Sequence, residues 1–457
     1  EAPGYKIKDK EKLFMLAGLF EVSTKDRKIE EIAEEVGEMA LAEFGKAHGF
    51  QTLVKRAPKA RQKLWEKLGI TPRAIDREVV ESMHRTGMGT DQDYENLIKQ
   101  AHRVSLADGW GGAMLATELQ DIMFGTPIPT AGKADISIFK KDTVNIAIHG
   151  HEPPVAEMVA VVSQDPKFIQ MAKDKGAAGG ITIGGLCCTA NEMLVRHGIP
   201  LAGHMKMQEL VLATGGIELM LVDVQCIMQA DVDLSRKFHT KVVTTSSKAK
   251  MIGAQHIEIT DETAFEKAKE IVKLAIDNFA NRDNKRLRIP VGAESDVVSG
   301  FSHETIKYML GGKFRASYRP LNDNIINGRI RGVAAVVGCV SSTVWPDTRP
   351  YLDLVKELLR NNILVIETGC AAAESARAGM MLPEYADHVG AGLREVCEAV
   401  GIPPVLHVGS CVDNSRILIA MSEIVAEGGL GNDISELPAA GACLDWMHEK
   451  ALAIGHY

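Results

Sequence analysis

Cysteines in this sequence recur at the ends of short apolar runs. The run Gly180 to Leu186 stops in the adjacent pair Cys187-Cys188, and four further runs stop in single cysteines. Those runs and their cysteines are 217–224 with Cys226, 333–337 with Cys339, 363–366 with Cys370, and 405–408 with Cys411. A sixth run, 144–148, ends in His149-Gly150-His151. Thiolates and imidazoles are metal ligands, so this pattern predicts one metal centre built from several strand ends.

The number and spacing of these ligands indicate the kind of metal centre. An iron-sulfur cubane uses about four cysteines, with histidine as an occasional substitute. The five thiols at run ends and one imidazole exceed that need, and the excess predicts a larger or heterometallic cluster. Zinc is the competing hypothesis, but zinc sites usually present close ligand pairs, whereas these ligands lie far apart in the sequence. A cluster gathered between rigid domains can keep an unsaturated position, as a catalytic metal requires.

For some of these residues the sequence leaves a choice open. His149 and His151 are two positions apart and can point the same way from an extended run, so spacing does not select between them. Cys397 lies inside the helical pattern 393–400 and is interpreted as a core residue. Cys443 stays undecided between core and ligand. Cys187 is either a spare thiol or an alternative ligand.

Alternating helices and apolar runs predict the elements that must position these ligands. Short continuous apolar runs separated by helical stretches are typical of parallel strands buried on both faces, and ligands collect at their carboxyl ends. Residues up to about 124 follow a helical period, 125–129 resemble a linker, and 281–285 form a polar break. We therefore predict an α/β protein with a helical domain at 1–128 and two Rossmann-like parallel-sheet domains at 129–284 and 285–457, each with its own sheet.

Composition restricts the class of protein. A chain of 457 residues is long enough for several domains, and its net charge of -8 argues against nucleic acid as the main partner. The basic stretch 55–67 is accordingly interpreted as a solvated helix face. No uninterrupted apolar stretch of about 18 residues is present, so the sequence predicts no membrane span and a cytoplasmic location.

Several ordered motifs run over nearly the whole chain. They are 84–86, Ala107-Asp108-Gly109-Trp110-Gly111-Gly112, 124–127, 144–153, Cys187-Cys188-Thr189, 222–228, Thr368-Gly369-Cys370 and 409–416. Together they resemble one known family, the nickel-iron-sulfur carbon monoxide dehydrogenases of anaerobes. The resemblance implies a helical domain followed by two Rossmann-like domains, with the catalytic nickel-iron-sulfur cluster between them.

The resemblance also implies a role for individual residues. His151 and Cys188 would bind the unique iron, and Cys226, Cys339 and Cys370 would hold the remaining irons. Cys411 would bind nickel. Lys450 matches the lysine that hydrogen-bonds the bound carboxylate, although its own surroundings also fit a helix-surface lysine, and Ile454 matches the apolar residue that shields the open nickel position.

The implied reaction is the reversible oxidation of CO with water to CO2, with two electrons passed to a ferredoxin-like redox partner by a homodimeric enzyme. The family's amino-terminal segment, with the cysteines of two electron-transfer cubanes, and its carboxyl-terminal segment have no counterpart here. We therefore expect the chain to be part of a longer protein, with additional 4Fe-4S clusters only if such an amino-terminal segment exists.

Two departures from the family pattern keep other functions open. Cys339 is followed by Val340-Ser341-Ser342, and the segment before Lys450 reads Gly441-Ala442-Cys443-Leu444-Asp445-Trp446-Met447-His448-Glu449, where the family has other residues. Residues beside metal ligands tune a metal site. One alternative is therefore a nickel-free reductase of the hybrid-cluster type, acting on hydroxylamine or nitric oxide. The other is a cluster-bearing redox sensor that is not an enzyme.

Overall fold

The apolar runs form the strands of a single central sheet. The structure is a computed structural model that describes residues 6–260, 262–312, 316–340 and 348–443. Its strands are β1 Thr130–Ala134, β2 Thr143–His149, β3 Gly180–Leu186, β4 Leu201–Gly203, β5 Leu219–Val222, β6 Lys241–Thr244, β7 Gln255–His256, β8 Ser295–Ser299, β9 Gly332–Gly338, β10 Ile363–Thr368, β11 Val405–Gly409 and β12 Ala439–Ala442. Every residue of β2 and β11 is buried, as expected of strands covered on both faces.

The twelve strands pair in the order β12-β9-β10-β11-β8-β1-β4-β3-β2-β5-β6-β7. All neighbours are parallel except β1 and β8, which pair antiparallel over five residues. In the register of β2, Ile146 lies between Ile183 of β3 and Leu219 of β5. The predicted α/β class is confirmed, but the expectation of two separate sheets is wrong, because the β1–β8 pair joins both parallel halves into one sheet.

Amphipathic helices surround this sheet. The described residues form α1 Lys10–Leu19, α2 Ile29–Gly45, α3 Lys59–Leu68, α4 Ile75–Arg85, α5 Tyr94–Ala107, α6 Ala113–Phe124, α7 Pro153–Ser163, α8 Pro166–Asp174, α9 Cys187–His197, α10 Gln208–Ala213, α11 Ala230–Ser235, α12 Ala264–Asn278, α13 His303–Gly311, α14 Arg319–Ile326, α15 Arg349–Arg360, α16 Gly369–Arg377, α17 Ala391–Val400 and α18 Asn414–Glu427. Side-chain caps begin several of them. Asp93 accepts a hydrogen bond from the Glu95 backbone at 2.9 Å before α5, and Asp165 one from Lys167 at 2.8 Å before α8.

Three large apolar cores hold helices and sheet together. One fills the amino-terminal helices and also contains Leu418 and Ile419 of α18. The second packs α7 and α12 on β2 and β5, and the third packs α16 and α17 on β10 and β11. Because α18 belongs to the first core as well as to the sheet region, the helical part is fixed against the edge where β11 ends. Among the described residues, no helix has both the length and the apolar character needed to cross a membrane.

A buried ion pair lies beneath the amino-terminal ends of β2 and β5. Arg282 donates to both carboxylate oxygens of Glu218, at 2.7 and 2.6 Å, and to the backbone oxygen of Thr143 at 2.7 Å. We expect R282M to lower the free energy of unfolding by about 3–5 kcal/mol, because it takes the guanidinium away from the buried Glu218 carboxylate, which then keeps the contacts with His239 and the Asn145 backbone. Chemical denaturation measures this loss. The double variant R282M with E218M should recover part of it, and a loss below about 1 kcal/mol for R282M would contradict the assignment.

A buried histidine of β11 makes stability depend on pH. The Gly409 backbone N–H donates to His407 Nδ1 at 3.2 Å and His407 Nε2 lies 2.8 Å from Asn191 Oδ1, so the ring is held neutral. Burial lowers the pKa of His407 to about 4, against the smaller opposing effect of Asp413. Between about pH 6.5 and pH 4, His407 is therefore protonated in the unfolded chain but neutral in the folded chain.

The free energy of unfolding should consequently fall as pH drops from about 6.5 to 4, by about 3 kcal/mol for this histidine. Denaturant titrations at a series of pH values test this. Burial lowers the pKa of His303 to about 4 as well, so H407Q should remove only part of the decline. If the free energy of unfolding of H407Q fell as steeply with decreasing pH as that of the unmodified chain, the prediction would be wrong.

Candidate metal centre

Four thiols meet in one buried cluster at the carboxyl edge of the sheet. Cys187 begins α9 after β3, Cys339 follows β9, and Cys370 is the second residue of α16 after β10. Cys226, beyond the end of β5, packs against them and is only partly buried. Burial, together with hydrogen bonds to the thiols of Cys226 and Cys370, raises the pKa of Cys187 well above its usual range. Strands far apart in the sequence thus deliver their thiols to one place.

Cys188 and Cys411 form a second contact beside this cluster. The backbone N–H of Cys411 donates to Cys188 Sγ at 3.5 Å. Gly369 lies against Cys411, with a φ of 63°, and a β-carbon on this glycine would be 2.6 Å from Cys411 Sγ. Only glycine leaves that space open. Since Gly369 directly precedes Cys370, and Cys188 directly follows Cys187, the two groups of thiols adjoin each other.

The structure distinguishes the two histidines that spacing left equivalent. His151 Nε2 lies 3.8 Å from Cys226 Sγ, and its Nδ1 lies 3.1 Å from the backbone oxygen of Val224. A carbonyl at Nδ1 fixes the proton there and directs the lone pair of Nε2 toward the thiols. His149 is fully buried in β2, with Nε2 2.9 Å from the backbone oxygen of Cys226. The geometry therefore favours His151 as the ligand.

The donor set has the chemistry of a metal-sulfur cluster site. Thiols are the ligands that iron-sulfur clusters require, and the five cysteines expected as ligands are all placed at this edge.

Backbone strain is concentrated beside these thiols. Cys187, Gln225 and Cys226 have φ values of 63°, 61° and 58°, in the left-handed region that residues with a β-carbon rarely adopt. Each such residue costs about 1–3 kcal/mol unless the surrounding structure imposes the conformation. The strained turns direct two thiols toward the shared cluster, which is consistent with a functional site.

Asp223 links the His151 loop to the Cys188 helix. Its carboxylate accepts hydrogen bonds from the His151 backbone at 2.5 Å and from Thr189 Oγ1 at 3.1 Å. Gly150 leaves room for it, because a β-carbon there would be 1.7 Å from Asp223 Oδ1. Burial raises the pKa of Asp223 to about 6, against the hydrogen bonds from His151 and Val224.

Sequence reasoning did not identify Asp223 as a site residue, although its position directly after a buried strand was a signal. Two further residues hold the thiol-bearing turns and were also missed. Gln208 donates to the backbone oxygen of Cys226 at 3.2 Å, and Tyr351 OH donates to the backbone oxygen of Cys339 at 2.6 Å. Neither has a local sequence signal, because each is brought to its partner by the fold.

The remaining candidates are distributed differently. Cys397 lies in α17, within the apolar core, where burial raises its thiol pKa to about 12. Cys443 follows β12, whose Ala442 pairs with Val336 of β9, and burial with the charge of Cys411 raises its pKa to about 12. The four adjacent strands β12, β9, β10 and β11 are thus each followed by a cysteine. Lys450 and Ile454 lie outside the described residues, and their roles stay predictions.

Comparison with known proteins places the chain in a family. The family model described as Prismane/CO dehydrogenase matches residues 1–457. The chain is 49% identical over 457 residues to carbon monoxide dehydrogenase 1 of Methanosarcina mazei, covering 100% of this chain and 71% of that protein. It is 40% identical over 469 residues to carbon monoxide dehydrogenase 2 of Carboxydothermus hydrogenoformans, covering 100% and 72%.

Solved structures agree with these relatives. A nickel-free carbon monoxide dehydrogenase from Thermococcus sp. AM4, produced without the CooC maturase, superposes with a TM-score of 0.95 at 46% identity, over 99% of this chain and 70% of that one. Carbon monoxide dehydrogenase IV from Carboxydothermus hydrogenoformans gives the same TM-score at 42% identity, over 100% and 73%. By sequence and by fold, the chain belongs to the Prismane/CO dehydrogenase family.

Proposed function

We propose that this chain carries the catalytic centre of a carbon monoxide dehydrogenase, an oxidoreductase that converts CO and water reversibly to CO2. The observation that carries the proposal is the gathering of five cysteines and His151 at one sheet edge, in a family whose matched relatives are named carbon monoxide dehydrogenases. Thiol ligands from five separate turns suit a cluster with several metal atoms.

The same residues would hold the cofactor, a nickel-iron-sulfur cluster. The proposed ligands are His151, Cys188, Cys226, Cys339, Cys370 and Cys411, with Cys411 on nickel and with His151 and Cys188 on one iron. When bound, the cluster supplies a Lewis acid for CO and an acceptor for two electrons. Lys450 would donate a hydrogen bond to the bound carboxylate, and Ile454 would shield the nickel position.

The surrounding residues orient these ligands. The backbone oxygen of Val224 holds the His151 ring so that Nε2 faces the thiols. Asp223 joins the turns of His151 and Cys188, which are the two ligands proposed for the same iron.

An apolar cavity of about 220 Å³ lies between α18 and strands β9 to β12, with Val337, Ile366 and Leu406 in its wall. Asn414 also lines it, and its Oδ1 accepts a hydrogen bond from Thr368 Oγ1 at 2.7 Å. Walls of this kind exclude water and can hold a small uncharged molecule.

The two alternative functions are less well supported. The family description covers both prismane and CO dehydrogenase proteins, but the relatives and solved structures described above are carbon monoxide dehydrogenases. The hybrid-cluster reductase was favoured only by the residues after Cys339 and before Lys450, and of these 341–342 and 444–449 lie outside the described residues. A sensor without catalysis has no observation in its favour.

Further parts of the proposal concern the whole protein. We propose a homodimer that works anaerobically in the cytoplasm and passes electrons to a ferredoxin-like protein. The domain limits 1–128, 129–284 and 285–457 belong to the proposal as well.

Metal analysis with assays of two substrates tests the function. The protein is purified anaerobically after expression with nickel, and nickel and iron per chain are measured beside viologen-linked CO oxidation and hydroxylamine reduction. We expect about one nickel per chain and CO oxidation. Iron without nickel, together with hydroxylamine turnover, would overturn the proposal in favour of the hybrid-cluster type.

A pair of cysteine variants tests the nickel ligand. C411A should keep most of its iron but lose nickel and at least about 100-fold of the CO oxidation rate, because a metal thiolate is removed. C397A is the matched control, since Cys397 is equally buried but lies in α17. It should cost about 1 kcal/mol of stability and no nickel. Normal nickel content in C411A would exclude Cys411 as the ligand.

A further inference from the structure

Asp121 of α6 is a buried carboxylate bound to three cations. Its side chain is fully buried, and Arg416 donates to both oxygens at 2.7 and 2.8 Å. Arg196 donates to Oδ1 at 2.7 Å, and Lys12 donates to Oδ2 at 2.6 Å. Burying a charged group costs free energy unless the charge is paired. The positions of Lys12, Arg196 and Arg416 therefore depend on Asp121.

Two of these three cations lie on the segments that carry candidate metal ligands. Arg196 is near the end of α9, the helix that begins with Cys187-Cys188. Arg416 is in the first turn of α18, directly after the short helical turn Cys411–Asp413. The third cation, Lys12, is on α1, which carries no candidate ligand. Asp121 therefore joins the Cys188 helix to the Cys411 turn from outside the sheet.

Hydrogen bonds continue this link up to Cys411. Arg416 Nε donates to Asp413 Oδ1 at 2.9 Å, and Asp413 Oδ2 accepts from the backbone of Ser410 at 2.9 Å. From the same helix as Asp121, Thr117 Oγ1 lies 3.1 Å from the backbone oxygen of Val412. The turn on both sides of Cys411 is thus attached to α6.

The Cys188 helix also approaches the same turn at Glu192. Glu192 is one turn beyond Cys188 in α9 and is paired with Arg196. Burial acts to raise the pKa of Glu192, but the charge of Arg196 and the nearby side chains of Asp413 and Ser410 lower it. The two thiol-bearing segments therefore share one continuous buried network, with Asp121 as the carboxylate that both arginines contact.

We infer that Asp121 is a positioning residue that sets the separation of Cys188 and Cys411. Because these thiols are proposed to bind iron and nickel respectively, Asp121 would thereby determine the geometry of the nickel site. The inference deepens the proposed function and rests on it, because it assumes that these two thiols hold the cluster. Asp121 acts through Arg196 and Arg416 and does not itself contact the thiols.

The variant D121N keeps the size of the side chain but removes the charge that binds the arginines. Changing a residue that supports metal ligands typically weakens metal affinity or activity about 10- to 100-fold. We expect a comparable rise in the nickel concentration needed for half-occupancy, and a changed EPR spectrum of the reduced centre, because the thiol separation changes. Iron content should fall much less, since Cys226, Cys339 and Cys370 are held elsewhere.

Two controls separate positioning from loss of stability. K12M breaks an ion pair to the same carboxylate but leaves both arginine contacts. E78Q changes a different buried carboxylate, which Arg73 contacts at 2.7 Å within the amino-terminal helices. Both should lower the unfolding midpoint while keeping the EPR spectrum and the nickel affinity of the unmodified protein.

The experiment measures nickel and iron per chain, nickel half-occupancy and EPR spectra on anaerobically purified protein with all of its gene-encoded segments. D121N values equal to those of K12M and E78Q would overturn the inference. If D121N does not fold, R196Q gives the decisive result, because it removes the contact of Asp121 with the Cys188 helix and leaves the contact with Arg416, although the contacts of Arg196 with Glu192 and the Gly125 backbone are lost too. It should change the EPR spectrum, and an unchanged spectrum would overturn the inference.

Failure of the proposed function is recognised separately. If the unmodified protein holds iron but no nickel and does not oxidise CO, the proposed function fails. The inference about Asp121 is then decided by the EPR spectra of the iron centre alone. Unmodified protein without iron would overturn both.

Discussion

Parallel strand pairing is the constraint on which the candidate site depends. Pairs of parallel strands place all their carboxyl ends at one edge of a sheet, and here those ends carry the thiols of Cys188, Cys339, Cys370 and Cys411. Each of these strands contributes one candidate ligand, whose position depends on the register of the neighbouring strands. A rigid sheet can therefore assemble a cluster site that no single loop of this chain could provide.

Buried carboxylates hold this edge in shape. Asp223 joins the His151 loop to the start of α9, and Asp121 joins the other end of α9 to the segment after β11. In a low-dielectric interior an unpaired charge is so costly that each carboxylate fixes its partners. The same rigidity maintains the left-handed backbone at Cys187 and Cys226, which local preferences oppose. The buried carboxylates therefore hold the strained turns that carry the thiols.

Local patterns predicted the regular elements well. The helical period of the residues up to about 124 corresponds to α1 to α6, and the runs ending in Cys339 and Cys370 are β9 and β10, because apolar periodicity is a property of neighbouring residues. Strands such as β1 and β12 were missed, since Thr-Ala-Gly-Lys-Ala and Ala-Ala-Gly-Ala carry no apolar signal and pair only because the fold brings other strands beside them. For the same reason the antiparallel β1–β8 pair, which merges two expected sheets into one, was not predictable.

The sequence by itself determined which ligands are available, their positions after strands and the family that the motifs resemble. Only the tertiary structure decided which groups meet. It brought His151 Nε2 within 3.8 Å of Cys226 Sγ and His149 Nε2 to the backbone oxygen of Cys226, and it placed Cys443 beside the Cys339 strand and Cys397 in the core. The hydrogen bonds that Asp121, Asp223 and Gln208 make to distant segments likewise exist only in the tertiary structure. The physical reason is that residue type and periodicity are local, whereas hydrogen bonds and charge pairs between distant segments depend on strand order and helix packing.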